Sequence, residues 1–124
     1  MSHISKIEIQ ISDLFALKKA CKRLGIEFRE GQRRFVWFSG EETCDHAIRV
    51  PGAKFEVGLR FTGSHYELLW DSWSGGGLKE SLGEDAGRLK QAYATERVRA
   101  EARRKRYRVK EKRTKNGIRL EVYP

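Results

Sequence analysis

Ile7, Ile9 and Ile11 alternate with Lys6, Glu8 and Gln10 near the start of the chain, the period-two pattern of a half-buried strand over residues 5–11. The period then changes. Leu14, Leu17, Cys21 and Leu24 recur at intervals of 3, 4 and 3, which predicts a helix through residue 24 that lies on a sheet by one stripe. Ser12 or Asp13 can cap its first turn, and Gly25 offers a left-handed residue at its end. A β region follows at residues 26–30, 33–38 and 46–50, with breaks at Gly31 and Ser39-Gly40. Pro51-Gly52 turns the chain into a strand where Phe55, Val57, Leu59 and Phe61 alternate with Lys54, Glu56, Gly58 and Arg60. Thr62-Gly63-Ser64 then turns it back into Tyr66, Leu68 and Trp70.

Residues 71–77 read as a loop, and a long helix is predicted over 82–104. Its inner stripe is Leu82, Ala86, Leu89 and Tyr93, with Ala94, Val98 and Ala102 forming a displaced stripe; beyond Tyr93 the surface turns to charge and alanine, so this half either projects or frays. Tyr107 and Val109 begin a strand, Asn116-Gly117 signals a turn, and Ile118, Leu120 and Val122 alternate on the way back. The expected fold is α+β in a single domain over residues 1–124: a mainly antiparallel sheet, two helices on one face, and a C-terminal β-hairpin.

Charge singles out one end. Residues 97–124 carry 12 Lys or Arg against 3 acids, which is the whole net charge of +9, while the first 96 residues hold 14 of each sign. A basic segment on a neutral body speaks to an anionic partner, through a field reaching about 8 Å at physiological salt, and says little about chemistry. Apolar runs such as Phe35-Val36-Trp37-Phe38 are too short to span a bilayer, so no membrane association is expected. The opening residues lack the apolar stretch of a signal peptide, which leaves the cytoplasm or an organelle stroma as the expected compartment. There Cys21 and Cys44 are expected as free thiols, and no spaced Cys/His set suggests a metal or other cofactor.

Four landmarks together resemble a family. They are the opening Met1-Ser2-His3-Ile4, the helix Asp13-Leu14-Phe15-Ala16-Leu17-Lys18-Lys19-Ala20 ending at Leu24-Gly25, the segment Tyr66-Glu67-Leu68-Leu69-Trp70-Asp71-Ser72-Trp73, and the closing Asn116-Gly117-Ile118-Arg119-Leu120. The chain resembles the hypothetical chloroplast reading frame thirty-five proteins and their bacterial and phage relatives, a domain of unknown function. That resemblance implies no established activity, cofactor or catalytic residue, and a bacterial or phage accessory protein as its setting. The chain departs from the family pattern in the three glycines after Asp71-Ser72-Trp73-Ser74 and in a more charged C-terminal helix.

Three places could carry function. The first is the basic segment: Arg97, Arg99, Arg103, Arg104, Lys105 and Arg106 on the helix end, then Arg108, Lys110, Lys112, Arg113 and Lys115 on the hairpin. Arg108, Lys110 and Lys112 fall on one strand face about 7 Å apart, near the spacing of successive phosphates on an extended strand. Such a row reads either as a phosphate-tracking surface for DNA or RNA, as a dock for an acidic protein, or as a solvated face.

The second is the loop Trp73, Ser74, Gly75, Gly76 and Gly77. Glycines let backbone N–H groups approach a ligand or partner, and Trp73 could stack on a base; the same loop also reads as a plain connection. Lys79 and Ser81 do not complete the GxxxxGK[ST] spacing, which rejects a P-loop. The third is an acid/base or metal set drawn from Asp45, His46, His65, Glu67 and Asp71. Neighbouring strand residues point to opposite faces, and no GxSxG frames Ser72 or Ser74, so no catalytic residue is assigned. The expectation is a non-enzymatic, nucleic-acid-binding accessory protein. The alternatives are a protein-interaction or inhibitor module, and a protein binding a small anionic ligand or nucleotide at the glycine loop.

Overall fold

The alternating apolar positions assemble one antiparallel sheet. In the computed structural model, which describes residues 3–124, β1 (Ser5–Ile11), α1 (Leu14–Leu24) and β2 (Glu27–Arg29) are followed by β3 (Arg34–Trp37), β4 (Gly40–Thr43), β5 (His46–Arg49), β6 (Glu56–Phe61) and β7 (Tyr66–Trp70). The sheet order is β1-β7-β6-β5-β2, antiparallel throughout. Met1 and Ser2, the first half of the opening landmark, lie outside the described residues.

The pleat of β5 and β7 divides their side chains between two cores. Ile7, Ile11, Ile48, Val57, Leu59, Leu68 and Trp70 join one buried cluster with Leu17 and Cys21 of α1 and with Leu89 and Tyr93 of α3 (Gly87–Arg104). Ala47 and Leu69 point the other way and meet Phe35 and Cys44. The pairing of β1 with β7 shifts register between Ile7 and Gln10, and Ile9, half-buried, packs against the same cluster as Ile7 and Ile11.

α1 ends where its caps dictate. Asp13 Oδ1 accepts the Ala16 N–H at 3.0 Å, and Gly25 sits at φ 71° while its N–H and that of Ile26 donate to the Lys22 and Cys21 carbonyls. Both cysteines are free and buried.

Two expectations need correction. Residues 33–38 do not join the main sheet: β3 pairs with β4, a strand absent from the sequence reading, and this hairpin covers the sheet face opposite the helices. The cover is possible because Gly58 has no side chain; a Cβ there would lie 2.3 Å from the Phe35 ring.

The helix expected over 82–104 is also interrupted. A short α2 (Leu78–Leu82) stops at Gly83, and α3 starts only at Gly87. Between them Asp85 and Ala86 both take positive φ, 50° and 56°, which no helix continues through. Past Tyr93 the helix neither projects nor frays: Thr95, Glu96 and Ala102 are buried, whereas Ala94 and Val98 of the expected stripe are exposed. The expected hairpin is present as β8 (Arg108–Thr114) and β9 (Gly117–Tyr123), with Lys115 and Asn116 in the turn.

Candidate nucleic-acid interface

Two backbone features aim the basic segment. The first is the end of α3. Lys105 closes the helix, Arg106 takes the left-handed conformation at φ 60°, the Arg106 N–H donates to the Arg103 carbonyl at 3.0 Å, and the Tyr107 N–H donates to the Ala102 carbonyl at 2.8 Å. This paired-bond stop is normally built around glycine, so arginine there carries a conformational cost. The second is the hairpin register, in which Lys110 opposes Glu121 and Lys112 opposes Arg119. Arg108, Lys110, Lys112, Arg119 and Glu121 therefore share one outward face, and Val109, Glu111, Arg113, Val122 and Leu120 share the other.

The inward face is tied down by charge. Arg23 Nη2 donates to Glu96 Oε2 at 2.7 Å and Arg23 Nη1 to Glu111 Oε1 at 2.8 Å, so one guanidinium joins α1, α3 and β8. Arg99 Nη1 donates to Glu111 Oε2 at 2.6 Å. The hydrogen bond from Arg23 is the main reason that the Glu111 carboxyl is held below its ordinary value; the charges of Arg23, Arg99 and Arg113 act in the same direction. The same two acids raise the Arg23 guanidinium, the Glu111 hydrogen bond contributing most.

These contacts sort the nominated cations. Arg97 faces the body: its Nη1 donates to Ser12 Oγ at 2.6 Å and to the Tyr93 hydroxyl at 3.1 Å, beside the start of α1. Arg99 is held by Glu111, Arg104 and Lys105 share Glu101, and Lys112 meets Glu121 at 3.3 Å. Arg103, Arg106, Arg108, Lys110, Arg113 and Lys115 are exposed, and none has an acidic partner within ion-pair distance among the described residues. Arg119 belongs with them and was absent from the sequence list, although its alternation with Ile118 and Leu120 already placed it outward. Glu111 was missed too. Its signal was a lone acid on the Val109 face of a basic strand.

The glycine loop is organised around aromatic rings. A Cβ on Gly75 would lie 2.4 Å from the Trp73 ring, and one on Gly76 would lie 2.1 Å from Phe55. The N–H groups of Gly76 and Gly77 donate inside the loop, to the carbonyls of Trp73 and Ser74, and Gly77 takes φ 85°. Asp71 is buried beneath it and accepts the N–H groups of Trp73 at 3.0 Å and Phe38 at 3.2 Å. What the loop presents outward is Trp73, 46% exposed, in edge-on contact with Phe38, 54% exposed.

The acid/base candidates are not brought together. His46 Nδ1 accepts the Gly31 N–H at 2.9 Å, Asp45 accepts the Phe61 N–H at 2.7 Å, Glu67 pairs with Lys6 at 3.0 Å, and His65 contacts Thr62 and Ser64. Among the described residues no group of three or more His, Cys, Asp or Glu converges on a point, and no helix is long and apolar enough to cross a membrane.

No curated protein and no solved structure matches the chain. Over residues 20–122, which take in the landmarks at 66–73 and 116–120, the sequence fits the family described as protein of unknown function (DUF1257), and the chain belongs to that family of uncharacterised proteins.

Proposed function

We propose that this chain is a non-catalytic accessory protein that binds nucleic acid through the outward face of its C-terminal hairpin and the adjoining end of α3. The observation that supports the reading is the excess of cations on the outward hairpin face, where Arg108, Lys110, Lys112 and Arg119 stand with one acid, Glu121. Glu111 faces inward onto Arg23 and Arg99, while Arg108 and Lys110 stand outward beside Arg103 and Arg106. Cations about 7 Å apart along a strand suit successive phosphates, and each neutralised phosphate releases counterions. Two buried free thiols suit a reducing compartment, and we place its action in the cytoplasm.

The test replaces Arg103, Arg106, Arg108 and Lys110 together by Gln and measures binding of DNA and RNA by fluorescence polarisation. Affinity should fall about 10- to 100-fold for all sequences alike, with a shallower salt dependence. Parent affinity in that variant would remove the assignment.

A second reading rests on the Phe38–Trp73 pair, whose exposed rings at 5.2 Å suit docking on a protein. Recovery of one stoichiometric protein after nuclease treatment, lost in Trp73→Ala, supports it. Recovery that Trp73→Ala leaves unchanged counts against it.

A further inference from the structure

Apolar side chains lie uncovered inside the most cationic part of the molecule. Between α3 and the hairpin runs a cleft of about 220 Å³ lined by Val98, Glu101, Ala102, Lys105, Tyr107 and Val122. Val98, Tyr107 and Val122 are each at least 40% exposed. On its other side Tyr107 borders a second hollow, lined by Arg99, Arg103 and Val109. The position of the ring is fixed at its backbone, because the Tyr107 N–H closes the helix end on the Ala102 carbonyl.

We infer that this cleft seats one unstacked base of a single-stranded nucleic acid against Tyr107, with the flanking phosphates on Arg106 and Arg108. The inference rests on the nucleic-acid reading above and gives it a substrate class. Charge complementarity selects the occupant. Glu101 and Lys105, the charged residues that line the cleft, pair with each other, and Arg104 also meets Glu101, so the cations left over are Arg106 and Arg108, which flank Tyr107 in the chain, and Arg103, which lines the second hollow beside it. An apolar peptide would fill the floor and leave the cations flanking Tyr107 unpaired, whereas a nucleotide brings an aromatic face and an anion together. A duplex keeps its bases stacked and offers only its phosphates. The cleft therefore discriminates single from double strands, and the outer hairpin face does not.

The test measures the full chain by fluorescence polarisation against four probes of equal length: a deoxyribose strand, a ribose strand, a strand carrying abasic sites, and a blunt duplex. Two variants accompany it, Tyr107→Leu, which keeps apolar bulk, and Tyr107→Trp, which keeps a ring; melting curves verify that each is folded. Tyr107→Leu should lose about tenfold on the base-carrying strands with its salt slope unchanged, and change little on the abasic strand or the duplex. Tyr107→Trp should restore the parent value. Tighter binding of the ribose strand would name RNA as the source of the base, and the reverse would name DNA. If the parent binds with a steep salt slope and Tyr107→Leu matches it on every probe, the base site is wrong and the phosphate surface stands. If the parent binds no probe at low salt, both are wrong.

Discussion

Arg23 and Glu111 stand 88 residues apart in the chain and 2.8 Å apart in space, and their contact fixes the basic hairpin to the first helix. The same guanidinium holds Glu96, whose side chain is 10% exposed. Replacing Arg23 by Met leaves Glu96 without its counter-charge, so the variant should lose about 2–4 kcal/mol of stability in denaturant unfolding. Glu111→Gln, which keeps the shape and leaves the Arg23–Glu96 pair in place, should cost about 1 kcal/mol.

That contact also sets a pH dependence. The Glu111 carboxyl lies below its ordinary value of 4.5, chiefly because Arg23 donates to it. A depressed carboxylate contributes stability that is complete above the unfolded value and lost as pH falls through the lower folded one. Parent stability should therefore hold at pH 4.5 and above and decline below it. Melting curves across that range should show a smaller decline in Glu111→Gln. An identical acid limb in both proteins would contradict the role given to Glu111.

Arg106 offers a separation of stability from function. At φ 60° it occupies a position where glycine is favoured by about 1 kcal/mol. Arg106→Gly should raise the melting temperature while weakening nucleic-acid binding. A variant that gains stability and binds as the parent does would show that the arginine has no part in the interface.

On the far side of the sheet, Gly58→Ala should push the Phe35 ring off its seat, since the new Cβ would lie 2.3 Å from Cδ1. Overpacking of this kind costs about 1–3 kcal/mol, measurable as an earlier midpoint in urea. The thiols report the same two cores. Burial pushes Cys21 up to about 12 and Cys44 up to about 11, so neither should react with a thiol reagent at neutral pH until the fold opens.

How far the sequence reveals this architecture differs from element to element. β1, α1 and the terminal hairpin follow from local rules: alternation at Ile7 and Ile11, the Asp13 and Gly25 caps, and turn chemistry before Ile118. The break before α3 does not. Gly83 and Gly87 cost a helix only about 1 kcal/mol each, and the positive φ of Asp85 and Ala86 depends on where Ala86 is buried. The position of β3 is equally hidden, because Phe35 alternates as any sheet residue would while its seat is a glycine 23 positions later. At the candidate interface the cations were visible as composition. Their division into body-facing Arg97 and Arg99 and outward Arg103, Arg106, Arg108 and Lys110 required partners from other elements, namely Ser12 and Glu111.

The central claim is a phosphate-binding surface at the C-terminal end. It is tested most directly by the salt dependence of binding between the parent protein and a single-stranded oligonucleotide. With about three to five phosphate contacts, the slope of log Kobs against log salt concentration should lie between about −2 and −4. A flat line, or no binding at low salt, would contradict the account.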